Sequence, residues 1–145
     1  MSVEVEVVRQ PGKELVEAFG RLLPQLSTSA KPLDSAAVER ILSCDANTVL
    51  VARVAQEIVG TLTLVLFPVP SGVRARIEDV VVDSAARGQG VAAELTRRAL
   101  ELAREAGART VDLTSRPDRA AANRLYERLG FVARDSTVFR FTMGD

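Results

Sequence analysis

The chain has 145 residues, 47% of them hydrophobic, which is enough for one buried core and too short for two domains. Lys plus Arg equals Asp plus Glu at 19 each, so no net charge draws it to nucleic acid or a membrane surface. A single cysteine and no histidine rule out a disulfide framework, Cys- or His-based metal sites, Ser-His triads and histidine general bases.

"MSVEVEVVRQ" carries charge from residue 4, unlike a signal peptide, and no apolar run approaches membrane-spanning length, so a soluble, cytoplasmic protein is expected. "VEVEVVR" (3–9) alternates apolar and charged residues, the pattern of a half-buried strand. In "GKELVEAFGRLLPQL" (12–26), Leu15, Ala18, Phe19 and Leu22 recur at helical spacing, with Pro24 near the end. "STSAKP" (27–32) reads as loop, and Asp34 is placed to cap a second helix through "SAAVERILSC". The β-branched runs 47–54 and 57–67, separated by "AQ", predict a hairpin, and "PVPSG" (68–72) turns the chain into a further strand over 73–83.

Beyond Asp83 the period changes. Val91, Leu95, Ala99, Leu102 and Ala103 share one helical face, with Glu94–Arg98 and Arg97–Glu101 spaced to pair on the solvated side. Gly107 ends that helix, and "ARTVDLTS" (108–115) reads as a strand. "AAANRLYERLG" (120–130) predicts a helix capped by Asp118 and closed by Gly130, and "FVARDSTVFRFTM" (131–143) two short strands around Asp135 and Ser136. The order β-α-α-β-β-β-α-β-α-β-β is mixed α/β, antiparallel early, with one βαβ unit near 75–115. No repeat or linker interrupts it, so residues 1–145 are expected to form a single domain.

The junction "DSAARGQGVAAEL" (83–95) matches G-x-G-x-x-A, but the dinucleotide reading fails on context. "DSAAR" separates the strand from the first glycine, Asp112 falls inside the next strand, and one parallel crossover is too few for a doubly wound sheet. The absence of Gly-Lys-Ser/Thr excludes the phosphate loop of nucleotide triphosphatases. The local physics remains: free N–H groups at a helix start, the helix dipole, two residues without Cβ and Arg87 beside them outline a pyrophosphate cradle. A loop that merely turns the chain fits the same residues.

"VVVDSAARGQGVA" resembles the Arg/Gln-x-x-Gly-x-Gly/Ala signature of the GNAT superfamily of N-acetyltransferases, with Arg87, Gly90 and Ala92 in its three positions. "AANRLYERLGF" (121–131) resembles that superfamily's second motif, through Asn123, Tyr126 and Gly130-Phe131, and the two occur in the family's order. The resemblance implies a GNAT fold: one mixed, mostly antiparallel sheet, splayed where coenzyme A inserts, with helices on both faces. It implies acetyl-CoA as donor and no metal, with Arg87, Gly88, Gln89, Gly90, Val91 and Ala92 holding the pyrophosphate. It also implies that the strand edge Val80, Val81, Val82 pairs with the pantetheine arm, and that an N–H near Val81 or Val82 polarises the thioester carbonyl. Asn123 and Tyr126, three apart on one helix, would face the coenzyme near its sulfur.

Tyr126, the sole tyrosine, then becomes the candidate proton donor to the departing thiolate, against packing beside Leu125 and Leu129. Glu78 is the candidate base, acting through water, against a plain ion pair with Arg74 or Arg76. Strand alternation puts Glu78 and Val80 on one face and Asp79 and Val81 on the other, so one of the two acids would face a given cleft. Arg116 and Arg119 could meet an anionic group or stay solvated, Asp112 and Thr114 could line an acceptor pocket, and Cys44 is expected to be small packing. Direct attack by an amine in a ternary complex is expected, since no activated nucleophile is visible. "IEDVVV" with the motif-bearing half also resembles glucosamine-phosphate acetyltransferases within the superfamily. The expected acceptor is a small primary amine, amino-sugar or amino-acid-like, with a protein lysine or N-terminal amine second and a non-catalytic acyl-CoA-binding module as the rival class. Acetyl-CoA and the amine are the expected partners, with a homodimer as the oligomeric option and neither nucleic acid nor membrane.

Overall fold

β1 (Val3–Val8), α1 (Lys13–Leu26), α2 (Ser35–Ser43), β2 (Asn47–Val54), β3 (Glu57–Val69) and β4 (Gly72–Val82) follow one another in the computed structural model, which describes residues 2–144. A 3₁₀ turn (Ser84–Ala86), α3 (Val91–Glu105), β5 (Val111–Asp112) and α4 (Ala120–Arg128) complete the order. Residues 2–114 form one compact unit and 115–144 another.

The first unit is built on a five-stranded sheet in the order β1-β2-β3-β4-β5. Its first four strands run antiparallel and β5 runs parallel to β4. Each local signal has a visible cause. Leu15, Ala18, Phe19 and Leu22 of α1 are all buried, the Asp34 carboxylate accepts the Ala37 N–H at 2.8 Å, and Ala55 and Gln56 close the β2–β3 hairpin with φ of 51° and 72°. That left-handed pair is the turn whose twist matches the flanking strands, here made without glycine.

Both faces of the sheet are covered. Val49, Val51 and Val81 pack under α1 and α2 with Phe19, Leu22 and Val38. On the opposite face Gly60 lies against α3, where an added Cβ would stand 2.9 Å from Val91 Cγ1 and 3.2 Å from Leu95 Cδ1. A side chain at residue 60 would therefore force the Val91 and Leu95 side chains to shift. Leu22, Leu50, Leu62, Leu64 and Leu95 are fully buried, each contributing roughly 1.5–3 kcal/mol. No helix among the described residues is long and apolar enough to cross a membrane.

Several expectations are corrected. β3 runs on to Val69 and β4 starts at Gly72, so the turn is shorter than 68–72. The strand expected over 108–115 is only Val111–Asp112, because its register with β4 consists of Ala75–Val111 and Arg76–Asp112, after which β4 has no parallel neighbour. Arg97 pairs with Glu94 and Arg98 with Glu101, three apart rather than four. Asp118 does not cap α4. The cap position is Arg119, without a side-chain bond, and the Asn123 amide instead donates to the Arg116 carbonyl at 3.0 Å. Residues 131–144 carry no strand: period-2 alternation becomes a strand only where a ladder partner exists, and none pairs with this segment among the described residues.

Candidate active site

The register of β3 with β4 slips in mid-strand. Thr63 stands opposite Glu78 but Thr61 opposite Val81, so Leu62 faces two residues, Asp79 and Val80. One extra residue in β4 is a β-bulge. It holds Asp79 at φ 51°, a left-handed conformation that Asp tolerates better than most residues. The bulge overturns the expected alternation. Glu78 and Asp79 open into one cleft of about 210 Å³, and Val81 turns into the core beneath α1.

Phe19 and Leu23 of α1, Leu33 before α2 and Ile41 of α2 form the apolar wall of that cleft, and Asn47, Thr61 and Thr63 its polar floor. The buried Thr61 hydroxyl is already satisfied by the Leu50 carbonyl at 2.9 Å. Glu78 accepts from Arg76 Nε at 2.9 Å, and Arg76 also reaches the Thr114 hydroxyl at 3.1 Å. The ion pair weighed for Glu78 is therefore made. Asp79 has no cationic partner among the ion pairs of the described residues. Its carboxyl is pushed above the ordinary aspartate value, first by desolvation and then by the neighbouring Glu78 charge.

Farther along β4 the outer edge is open. β5 departs after Arg76, so Ile77–Val82 has β3 on one side and no strand on the other among the described residues. The Asp83 N–H donates to the Val59 carbonyl at 2.7 Å. Antiparallel pairs alternate, so Val81 directs its N–H at β3 while Val82 directs its own at the free edge. Of the two amides considered as carbonyl donors, Val82's is the one left for a ligand.

The loop after β4 is tied down from α1. Arg21 Nη1 bridges the Ile58 carbonyl at 3.1 Å and the Asp83 carboxylate at 3.3 Å, and Gln25 accepts the Ser84 N–H at 2.9 Å. Asp83 also caps the 3₁₀ turn through the Ala85 N–H at 3.1 Å, and these donors hold its carboxyl below the ordinary range, the Ala85 amide foremost. Gly88 and Gly90 follow at φ 83° and 79°, and a Cβ on either would meet no atom within 4 Å. Their role is conformational, and the space before them is open. Gly90 is the cap residue of α3, whose first intrahelical bond runs from the Glu94 N–H to the Gly90 carbonyl at 3.1 Å, leaving the amides of Val91, Ala92 and Ala93 at the free end. Arg87, Gly88, Gln89 and Gly90 are exposed, whereas the Val91 side chain is buried and offers only its backbone.

In the second unit Tyr126 stacks edge-on against Phe131, ring centroids 5.7 Å apart at 65°. Desolvation raises its phenol above the ordinary value, and Arg119 acts in the opposite sense. Phe131 is held there by its N–H on the Tyr126 carbonyl at 3.0 Å, after Gly130 ends α4 at φ 105°. Asn123 is engaged by the Arg116 carbonyl.

The model of the "Acetyltransferase (GNAT) family" matches residues 14–131, which include both motifs. The chain belongs to the GNAT family of acetyltransferases. A rice (Oryza sativa subsp. japonica) protein named "Probable glucosamine 6-phosphate N-acetyltransferase 2" is 45% identical over 58 residues, covering 40% of this chain and 33% of that protein, so the match spans a third of the relative's length. A crystal structure described as a transcriptional regulator from Bacillus halodurans C-125 is 31% identical, with 96% of this chain and 100% of that one covered at a TM-score of 0.78. An aminoglycoside acetyltransferase from an uncultured soil metagenomic sample is 26% identical, covering 99% and 100% of the two chains at a TM-score of 0.79.

Within this GNAT chain, sequence reasoning missed Asp79 as a cleft residue, because regular alternation hides a bulge. Two adjacent acids in "IEDVVV" were the available signal. It also missed Arg21 and Gln25, whose partners at Asp83 and Ser84 lie about sixty residues away along the chain. Cys44, expected to be packed, is exposed at the end of α2.

Proposed function

We propose that the chain forms one N-acetyltransferase domain that passes an acetyl group from acetyl-CoA to a small primary amine by direct attack in a ternary complex. The observation that carries this reading is the sequence of features along β4: a two-acid cleft at Glu78 and Asp79, an open edge with the Val82 N–H, then the glycine loop leading into α3. Bound acetyl-CoA would supply an acetyl carbon activated as a thioester. The loop fits its pyrophosphate: the amides of Val91, Ala92 and Ala93 stand at the free end of α3, the space before the left-handed glycines is open, and Arg87 adds charge.

The residues then divide the work. The apolar wall and the acids orient the amine. Glu78, through water, takes the proton the nitrogen must lose before its lone pair can bond to carbon. The Val82 N–H donates to the carbonyl oxygen as charge builds on it. Tyr126 gives its phenolic proton to the sulfur as the C–S bond breaks, and recovers it from solvent. What supports the tyrosine assignment is its place in the second family motif and a phenol biased toward its protonated form.

The test is thiol release from acetyl-CoA in the presence of a panel of small amines. Amine-dependent release with N-acetylated product is expected. Binding of acetyl-CoA without release on any amine would overturn the reading in favour of a binding module.

A further inference from the structure

The chemistry of the cleft narrows the acceptor, an argument that rests on the proposed acetyl transfer. Along one side run Phe19, Leu23, Leu33 and Ile41, on the other Glu78 and Asp79, and no Lys or Arg is among the described residues that line it. Arg76 compensates Glu78 through their 2.9 Å ion pair, which leaves Asp79 as the uncompensated charge. The bulge, with Asp79 in a left-handed conformation, sets that exposed carboxylate on the cleft side rather than on the opposite face. At about 210 Å³ the cleft is smaller than the ~300–1,000 Å³ pockets of drug-sized ligands.

We propose that this cleft selects amines borne on a small apolar, uncharged body, with Asp79 receiving the ammonium, and that it discriminates against phosphorylated amines. An ammonium gains a partner at Asp79 while its body displaces water from the apolar wall. A phosphate carries about −1.5 to −2 charge at neutral pH, finds no cation on the lining and faces an acid. One like-charge pair about 4 Å apart costs roughly fivefold in affinity even at the dielectric of bulk water, so about tenfold or more is expected for a phosphate. The chain would thus differ in acceptor from the sugar-phosphate relative with which it shares part of its sequence.

Steady-state transfer from acetyl-CoA to 2-phenylethylamine, glucosamine and glucosamine 6-phosphate tests this. The expected order of kcat/KM places phenylethylamine first and at least about tenfold above glucosamine 6-phosphate. Asp79→Asn keeps the shape and tolerates the left-handed backbone, and should shrink that ratio about tenfold, mainly by lowering the KM for glucosamine 6-phosphate, since both substrates lose the same ammonium partner. Leu33→Lys places a cation on the wall and should raise the relative rate with glucosamine 6-phosphate. A preference for glucosamine 6-phosphate in the unaltered protein, or a ratio that neither variant moves, would overturn the inference while leaving acetyl transfer standing. Transfer to none of the three, with acetyl-CoA bound, would overturn the proposed transfer and this inference together.

Discussion

Replacing Gly90 by alanine separates the conformational role of the loop from its ligand role. Gly90 caps α3 at φ 79°, ψ 14°, where an L side chain costs roughly 1–2 kcal/mol. An added Cβ meets no protein atom within 4 Å, so steric clash contributes nothing to the free protein. Urea denaturation without ligand should therefore show a loss of about 1–2 kcal/mol. With acetyl-CoA at 100 times its Kd, the unaltered protein should gain about 2.7 kcal/mol. In Gly90→Ala the methyl enters the space assigned to the pyrophosphate. A tenfold rise in Kd would leave about 1.4 kcal/mol of that gain at the same concentration. Gly107→Ala is the control. It sits at φ 80° just beyond the far end of α3, also with nothing within 4 Å of its Cβ, so it should lose similar stability yet keep the full acetyl-CoA increment. Equal increments in the two variants would refute the cradle, and an unchanged ligand-free stability would refute the strain argument.

Tyr126→Phe keeps the stack on Phe131 and should lower turnover about 10²–10⁴-fold with little change in acetyl-CoA affinity, whereas near-normal turnover would leave the ring a packing role. Since Tyr126 is the only tyrosine, tyrosinate absorbance of the folded protein should titrate above the ordinary value of 10.0, and a midpoint at or below that of the urea-unfolded chain would contradict the desolvation. Glu78→Gln should reduce turnover most near neutral pH and much less at high pH, where free amine is abundant; an equal loss at every pH would assign Glu78 to the Arg76 pair alone. Asp83→Ala removes the cap on Ala85 and the Arg21 contact and should cost about 1 kcal/mol at neutral pH. Because the Asp83 carboxyl is lowered by folding, its contribution is present above the ordinary 3.8 and lost as pH falls through the lower folded value, so the gap to the unaltered protein should close below 3.8. A gap that persisted in acid would place the effect in packing instead.

What was legible in the sequence had local causes. The spacing of Leu15, Ala18, Phe19 and Leu22, the Asp34 cap and the two-residue hairpin at Ala55-Gln56 each depend on neighbours within a turn or two, and each appears where the pattern puts it. The strands expected over 108–115 and 131–143 had equally good local patterns and came out short or absent, because a strand is a property of a pair and its partner is not written beside it. The site divides along the same line. The glycine loop is local: two left-handed glycines lead directly into an amphipathic helix, and the loop stands where "GQG" placed it. The acids of the cleft are not, since which way Asp79 faces is fixed by how β3 and β4 slip past each other between Thr61 and Thr63. One inserted residue changes the face of everything after it, and here it does two things at once. It brings a second carboxylate to the side on which Glu78 already stands. It also turns Val81 into the core beneath α1, anchoring the strand just before its Val82 amide reaches the free edge. A regular β4 would have aimed Asp79 at the α3 face, where Ile77 and Leu64 are buried and a carboxylate has no compensation. The strain at Asp79 is thus tied to the same slip that separates the acidic cleft from the free edge along a single strand.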